Sequence, residues 1–375
     1  NAGVAVTSGS GSVTFDKTPP TISAIETSAL SWGAVLNSTE DDSAGAVTVT
    51  TSGAEDGQAV TITLNGETYT GSVSSNVATV TVSAAGLQDL THGSTYTLTA
   101  DVSDAAGNAA SQVTSSSFTV DTLVPTVNSV TSTNSDGNYN SGDQITVQVV
   151  FSQAVYVTGT PTITLATGGS GDVVSYSTGS GSQYLDFVYT VGTGDTSSDL
   201  DYASTSALAL VGSATIKDVN GNDATLTLAS PGATNSLADS KALVIDTAAP
   251  TLSSVSIASN NSTTTLATVA DVVTLTFTAS ETIATPVVTF QSGDAAIADT
   301  SITYTNTSGT TWTAAYTADG ADTDGSVTYS IAFSDLASNA GVAVTSGSGS
   351  VTFDGSAPTL SSVSIASNNS TTTLA

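Results

Sequence analysis

Two stretches of this 375-residue chain occur twice, letter for letter. Asn1–Asp16 returns as Asn339–Asp354, and Ala249–Ala267 returns as Ala357–Ala375. A shorter frame is present four times: an Asp (Asp16, Asp121, Asp246, Asp354) followed four residues later by Pro, five later by Thr, and then by an apolar residue. Repetition of this kind marks an array of small modules, and the frame is its junction. The Asp-to-Asp spacings of 105, 125 and 108 residues each suit one small all-β domain. The expected division is 1–16, the last strand of a preceding module; 17–121, 122–246 and 247–354, three complete modules; and 355–375, the start of another. The chain reads as a slice of a longer array, and it contains no Met.

Between junctions, apolar residues alternate with Thr and Ser at period two, the pattern of half-buried strands. In the first module the runs are Val47–Thr50, Val60–Leu64, Val77–Val82, Tyr96–Val102 and Phe118–Val120, with Asn65-Gly66 as a hairpin turn. The second offers Val127–Thr131, Ile145–Phe151, Thr162–Leu165, Val173–Tyr176, Tyr184–Val191, Leu208–Ile216 and Ala242–Ile245. The third offers Leu252–Ile257, Val272–Thr278, Val287–Phe290, Ile302–Thr305, Thr311–Tyr316, Val327–Phe333 and Val351–Phe353. About seven short strands per hundred residues predict tandem immunoglobulin-like β-sandwiches in a linear array. Ala84–Leu90 has room for one helical turn at most, and an insertion at 225–239 reads as an added edge hairpin. Pro inside each four-residue junction fixes its own φ and restricts the residue before it, so the connector is short and stiff.

Charge limits what such modules can do. There are 32 acidic residues against Lys17, Lys217 and Lys241 and no Arg, a formal net charge of -29. That surface repels nucleic acid and anionic lipid and attracts cations. No apolar run is long enough to insert into a membrane. Without Cys, and with His92 as the single His in a Thr-His-Gly turn, neither a nucleophile–base pair nor a His/Cys metal site can be assembled. Acids this abundant pair by chance without making a glycosidase. The chain reads as a non-enzyme. Trp312 lies mid-strand as core, and Trp32 is expected to pack on its own module.

A second motif precedes each junction: Asp104-Ala105-Ala106-Gly107-Asn108, Asp218-Val219-Asn220-Gly221-Asn222 and Asp335-Leu336-Ala337-Ser338-Asn339. In a sandwich this loop shares a pole with the incoming junction Asp and with the loop after the second strand, which carries Glu55-Asp56, Gln153 or Glu281. The opposite pole carries Glu40-Asp41-Asp42, Asp136 to Asp143, or Asp271, and faces the next module. Two acidic loop sets are thus expected to converge on each junction Asp. Asp-x-x-Gly-Asn makes a good turn with no metal at all. Its repetition beside Asp-bearing junctions in so acidic a chain points to Ca²⁺, which takes about six to eight oxygen ligands. Asp136 and Asp143 bracket a loop of metal-binding composition that lacks the final Glu and the helices of an EF-hand.

The residues also resemble a known family. Thr51-Ser52-Gly53-Ala54-Glu55-Asp56-Gly57-Gln58, Val60–Tyr69, Tyr96–Asn108 and Phe118–Asp121 are similar to the bacterial immunoglobulin-like repeats of giant secreted adhesins. Ser141-Gly142-Asp143, Val150-Phe151-Ser152, Gly159-Thr160-Pro161 and Asp199-Leu200-Asp201-Tyr202 resemble another repeat type of large bacterial surface proteins. The resemblance implies extracellular, calcium-stiffened extender modules that hold an adhesive tip away from the cell. It implies as ligands Asp16, Asp121 and Asp246, the loop pairs Asp104/Asn108, Asp218/Asn222 and Asp335/Asn339, and Glu281. Gln153 in place of the expected Glu implies a weaker site at the start of the second module, and Ser338 in place of Gly implies an altered turn.

Two functional expectations follow. One is a structural extender whose partners are the neighbouring modules of its own array. The other is a subunit of a self-assembling extracellular filament or surface layer, in which a strand such as Val351–Phe353 completes the sheet of another copy. A carbohydrate-binding module would need an exposed aromatic platform, which the sequence does not offer.

Overall fold

The alternating runs become antiparallel strands because only one face of each is apolar. In Gly45–Ser52, Val47 and Val49 are fully buried while Thr48 and Thr50 face solvent. The computed structural model describes residues 15–366. The strand expected at 1–16 lies almost wholly outside the described residues, as does the end of the 355–375 segment; no strand forms within 355–366. The described chain divides into two compact units. The first takes 15–135, Ile145–Tyr189 and Asp201–Lys241; the second takes Asp136–Gln144, Thr190–Leu200 and 242–366.

The first unit opens with an immunoglobulin-like sandwich. One sheet orders Thr21–Ile22, Gly45–Ser52 and Val77–Val82; the other orders Glu67–Ser72, Ala59–Leu64, Leu98–Val102 and Val113–Thr114. Val35–Asn37 crosses over to run parallel with the last strand, Phe118–Asp121. A first strand split between two sheets, its second half parallel to the last strand, gives the sandwich its immunoglobulin-like topology. Val47, Val49, Val60, Ile62 and Leu64 meet in one core, into which Trp32 packs edge-on against Phe118 at 5.4 Å between ring centres. The hairpin Ala59–Ser72 turns at Asn65-Gly66, both with positive φ (52° and 85°).

The same unit holds the second segment's large sheet, ordered Val127–Ser132, Gln144–Thr158, Ser182–Thr190, Asp172–Thr178, Thr162–Leu165 and Leu208–Ala209, with Thr215–Lys217 paired to the long strand. Three details differ from the sequence reading. The strand expected to stop at Phe151 runs to Thr158, because its last three residues, Tyr156 to Thr158, pair with Thr215–Lys217. The single run Leu208–Ile216 is two short strands with different partners. The 225–239 insertion is no hairpin: Thr225 makes one parallel bridge to Thr126, Pro231 offers no backbone donor, and Gly232 turns the chain at φ 75°. Buried Leu228 and Leu237 fasten that segment, and Ser236 caps the single turn Leu237–Ser240.

The second unit holds a three-stranded sheet in which Gly137–Tyr139 runs parallel to Leu243–Asp246, itself paired with Thr196–Ser197. It also holds a full sandwich. Leu252–Ser259, Val272–Ala279, Thr311–Thr317 and Thr303–Asn306 form one sheet. Leu266–Ala267, Thr352–Phe353, Gly325–Ala332, Val287–Ser292 and Ala295–Ala296 form the other. Leu266–Ala267 is again parallel to the last strand. Phe277, Phe290, Trp312 and Tyr316 lie in its core. Among the described residues, no helix is long and apolar enough to cross a membrane.

Candidate metal centre

Each Asp-x-x-x-Asn loop closes on itself in the same way. The Asn backbone N–H and side-chain amide both donate to the leading carboxylate: Asn108 to Asp104 at 2.8 and 2.8 Å, Asn222 to Asp218 at 2.9 and 2.8 Å, Asn339 to Asp335 at 2.8 and 2.8 Å. The Asp N–H returns to the Asn carbonyl in all three. The fourth residue must then take a left-handed conformation, which Gly107 (φ 89°) and Gly221 (φ 93°) adopt freely. Ser338 does not alter the turn as expected. It adopts φ 70° and keeps the same loop hydrogen bonds, at the steric cost its Cβ brings there.

These loops grip the junction backbone. The same Asn amide donates onward to the carbonyl of the junction Asp: Asn108 to Asp16 at 3.3 Å, Asn222 to Asp121 at 3.0 Å and Asn339 to Asp246 at 2.8 Å. Asp104, Asp218, Asn222 and Asp335 are buried. The amide of Asn108 holds the Asp104 carboxyl below its ordinary value, since hydrogen bonds to the charged form favour it.

The segment at the end of the second strand separates the three junctions; Glu55 and Glu281 follow their strands in a loop, whereas Gln153, expected in the same loop, lies inside the long strand Gln144–Thr158. At Asp16, Glu55 turns onto the loop backbone and accepts from Ala105 N at 2.8 Å. At Asp121 the residue is Gln153, whose Nε2 donates to Leu123 O at 3.0 Å and to Asp218 Oδ2 at 3.2 Å. At Asp246 it is Glu281, and carboxylate oxygens of Asp246, Glu281 and Asp335 lie within 4.8 Å of one another. Burial first, then the charges of Asp246 and Asp335, push the Glu281 carboxyl above its ordinary value. No lysine answers these charges. Lys17 lies over the Phe15 ring, Lys217 pairs with Asp223, and Lys241 donates to Asn134 O.

Three oxygen-bearing side chains from three separate segments, one of them buried, with no counter-charge, fit a hard divalent cation. Asp136 and Asp143 lie outside this group. Asp136 accepts from Ala242 N at 3.1 Å, and Asp143 accepts from Asn140 N at 2.9 Å. Within the first unit the opposite-pole loop reaches the Asp121 junction through Asn37 and Ser38. Asn37 Nδ2 donates to Asn220 O at 3.1 Å and Ser38 N to Asn222 Oδ1 at 2.7 Å. Glu40 folds back onto Asn37 N, and Asp42 accepts from Gln88. Asn37 and Asn220 were thus missed by the sequence reading. The signal for Asn220 is its place inside the Asp218–Asn222 motif, of which the calcium expectation uses only the terminal Asp and Asn.

No protein-family model and no curated protein matches the chain. Among solved structures it is similar to one of a 1.5-MDa bacterial ice-binding adhesin, concerned with host cell surface retention, at 19% identity and TM-score 0.46 over 91% of this chain and 100% of that one. It is also similar to a Ca²⁺-stabilized adhesin that helps an Antarctic bacterium reach out and bind ice, at 24% identity and TM-score 0.45 over 89% of this chain and 74% of that one. An I-band fragment of titin follows at 12% identity and TM-score 0.32, covering 90% and 100%.

Proposed function

We propose that this chain is a non-enzymatic extender segment of a long bacterial extracellular adhesin or surface fibre, with Ca²⁺ stiffening the Asp246 junction. The observation that carries the reading is the group Asp246, Glu281 and Asp335, three mutually close carboxylates without a basic partner. Each belongs to a different part of the chain: Asp246 ends the strand Leu243–Asp246, Glu281 follows Val272–Ala279, and Asp335 follows Gly325–Ala332. Ionised together they repel. A bound Ca²⁺ supplies a double positive charge that turns this repulsion into a tie between the entering chain and two loops of the sandwich it enters. Asp246, Glu281 and Asp335 would hold the ion. Asn339 keeps the Asp335 loop closed and fastened to the Asp246 carbonyl. The residue types support a non-enzymatic role, because the chain has no Cys and a single His. The similarity of the repeat motifs to those of giant adhesins suits a surface location, where Ca²⁺ is available.

Small-angle scattering of the full chain with Ca²⁺ and with chelator tests this reading. The expected result is a longer, narrower distance distribution with Ca²⁺ and a looser one without it. Identical profiles, together with no calorimetric heat on Ca²⁺ titration, would sink it.

A further inference from the structure

The Asp121 and Asp246 junctions share one frame. Thr126 N donates to Ser152 Oγ at 3.0 Å and Ser152 N to Thr126 O at 2.8 Å; Thr251 and Ser280 make the same two bonds at 3.0 and 2.8 Å. The next residues, Gln153 and Glu281, therefore occupy equivalent places. The middle of the following loop is likewise equivalent, and there the first junction has Asn220 where the second has Ala337.

From these two differences we propose that the Asp121 junction is a cation-independent lock, in which side-chain amides take the place that Ca²⁺ takes at Asp246. Gln153 Nε2 sits between Leu123 O and Asp218 Oδ2. Both neighbours are acceptors, which fixes the nitrogen end of the amide there. Asn220 Nδ2 donates to Asp121 Oδ2, and Asn222 Nδ2 donates to Asp121 O and Asp218 Oδ2 while its Oδ1 accepts from Ser38 N. Asp218 Oδ1 accepts from the backbone of Asn220 and Asn222, and Asp121 Oδ1 from Leu123 N. All four oxygens of the two carboxylates are thus satisfied by N–H donors. At Asp246 the same positions offer Glu281, an acceptor carrying charge, and Ala337, which offers no side-chain donor. Amides satisfy the first pair of acids permanently; the second acid group gains by binding a cation.

The array accordingly carries two kinds of joint, one held at any Ca²⁺ level and one set by it. The contrast rests on the calcium reading of the Asp246 junction, whereas the amide lock is tested apart from it. Because the chain has no Cys, spin labels can be placed cleanly in the full chain, at T68C and S175C to span Asp121 and at S175C and T303C to span Asp246. Double electron–electron resonance is recorded with Ca²⁺ and with chelator. The T68C/S175C distribution is expected to be unchanged by chelator and to broaden at least two-fold in Gln153→Ala/Asn220→Ala, equally in both conditions. In Gln153→Glu/Asn220→Ala, which rebuilds the Asp246 side-chain set, it should become broad in chelator and narrow in Ca²⁺. Circular dichroism confirms that each variant is folded. Broadening of the parent T68C/S175C distribution by chelator would overturn the lock, as would an unchanged distribution in the double alanine variant or no response to Ca²⁺ in the Glu variant. If the S175C/T303C pair alone fails to respond to Ca²⁺, the calcium reading of Asp246 falls while the amide lock stands.

Discussion

Glu281 and Asp246 place carboxylate oxygens within 4.8 Å of each other and of Asp335, with every described lysine engaged elsewhere. A site that exists only in the folded chain couples binding to stability. At a free Ca²⁺ concentration a hundred times the dissociation constant, one site adds about 2.7 kcal/mol. Calorimetric melting should therefore show a Ca²⁺-dependent rise for the transition of the 247–354 segment. Glu281→Gln should abolish most of that rise, and should melt higher than the parent in chelator because one of three repelling charges is gone. A full Ca²⁺ response in Glu281→Gln would remove Glu281 from the site.

Acid should act on this junction in opposite senses with and without Ca²⁺. Glu281 is pushed above its ordinary value of 4.5, first by burial and then by Asp246 and Asp335. A carboxyl group with a higher pKa folded than unfolded costs stability while ionised, and that cost is relieved as pH falls through its folded pKa. In chelator, stability should therefore rise as pH falls from about 7 towards the ordinary value. With Ca²⁺, protons compete for the same oxygens and the metal-induced gain should shrink over the same window. Paired melting curves across that range check both arms. A chelator curve falling throughout that window would contradict the arrangement.

Ser338 is the one loop residue of its kind with a side chain in the left-handed region, at φ 70° against 89° and 93° for Gly107 and Gly221. A Cβ there costs about 1–2 kcal/mol, and Gly returns part of this through the greater freedom of the unfolded chain. Ser338→Gly should stabilise the 247–354 segment by about 0.5–1 kcal/mol in urea denaturation, with unchanged m-value. Destabilisation would mean that the Ser side chain has a role its loop does not reveal.

The fold was largely legible because strands announce themselves at period two: Val47 and Val49 inward, Thr48 and Thr50 outward. The parallel pairing of Val35–Asn37 with Phe118–Asp121 was not, since a three-residue strand leaves too short a pattern. The 225–239 segment misled because its Leu residues read as strand but bury as anchors. At the junctions the repeated Asp and the Glu281/Gln153 difference could be read directly. Which amide faces which carboxylate could not, because it depends on side-chain orientation: Glu40 lies in the right loop yet turns to Asn37 N, while Asn37 reaches Asn220.

Tyr316 carries the last prediction. Its ring packs against Phe290 at 4.9 Å between centres, and its hydroxyl is buried with no hydrogen-bond partner among the described residues. Asp322 raises the hydroxyl's pKa together with burial, the larger cause. Yet Asp322 does not accept from it; its two oxygens accept from Ala298 N at 2.7 Å and Asp319 N at 2.9 Å. A buried polar group left unpaired costs about 1–3 kcal/mol. Tyr316→Phe removes that group and keeps the ring, so it should stabilise the segment by about 1 kcal/mol or more. Tyr316→Ala removes the ring as well and should cost about 3–5 kcal/mol through the cavity it leaves. Equilibrium denaturation of the three proteins side by side decides the matter. A loss of stability in Tyr316→Phe would show that the hydroxyl has a partner.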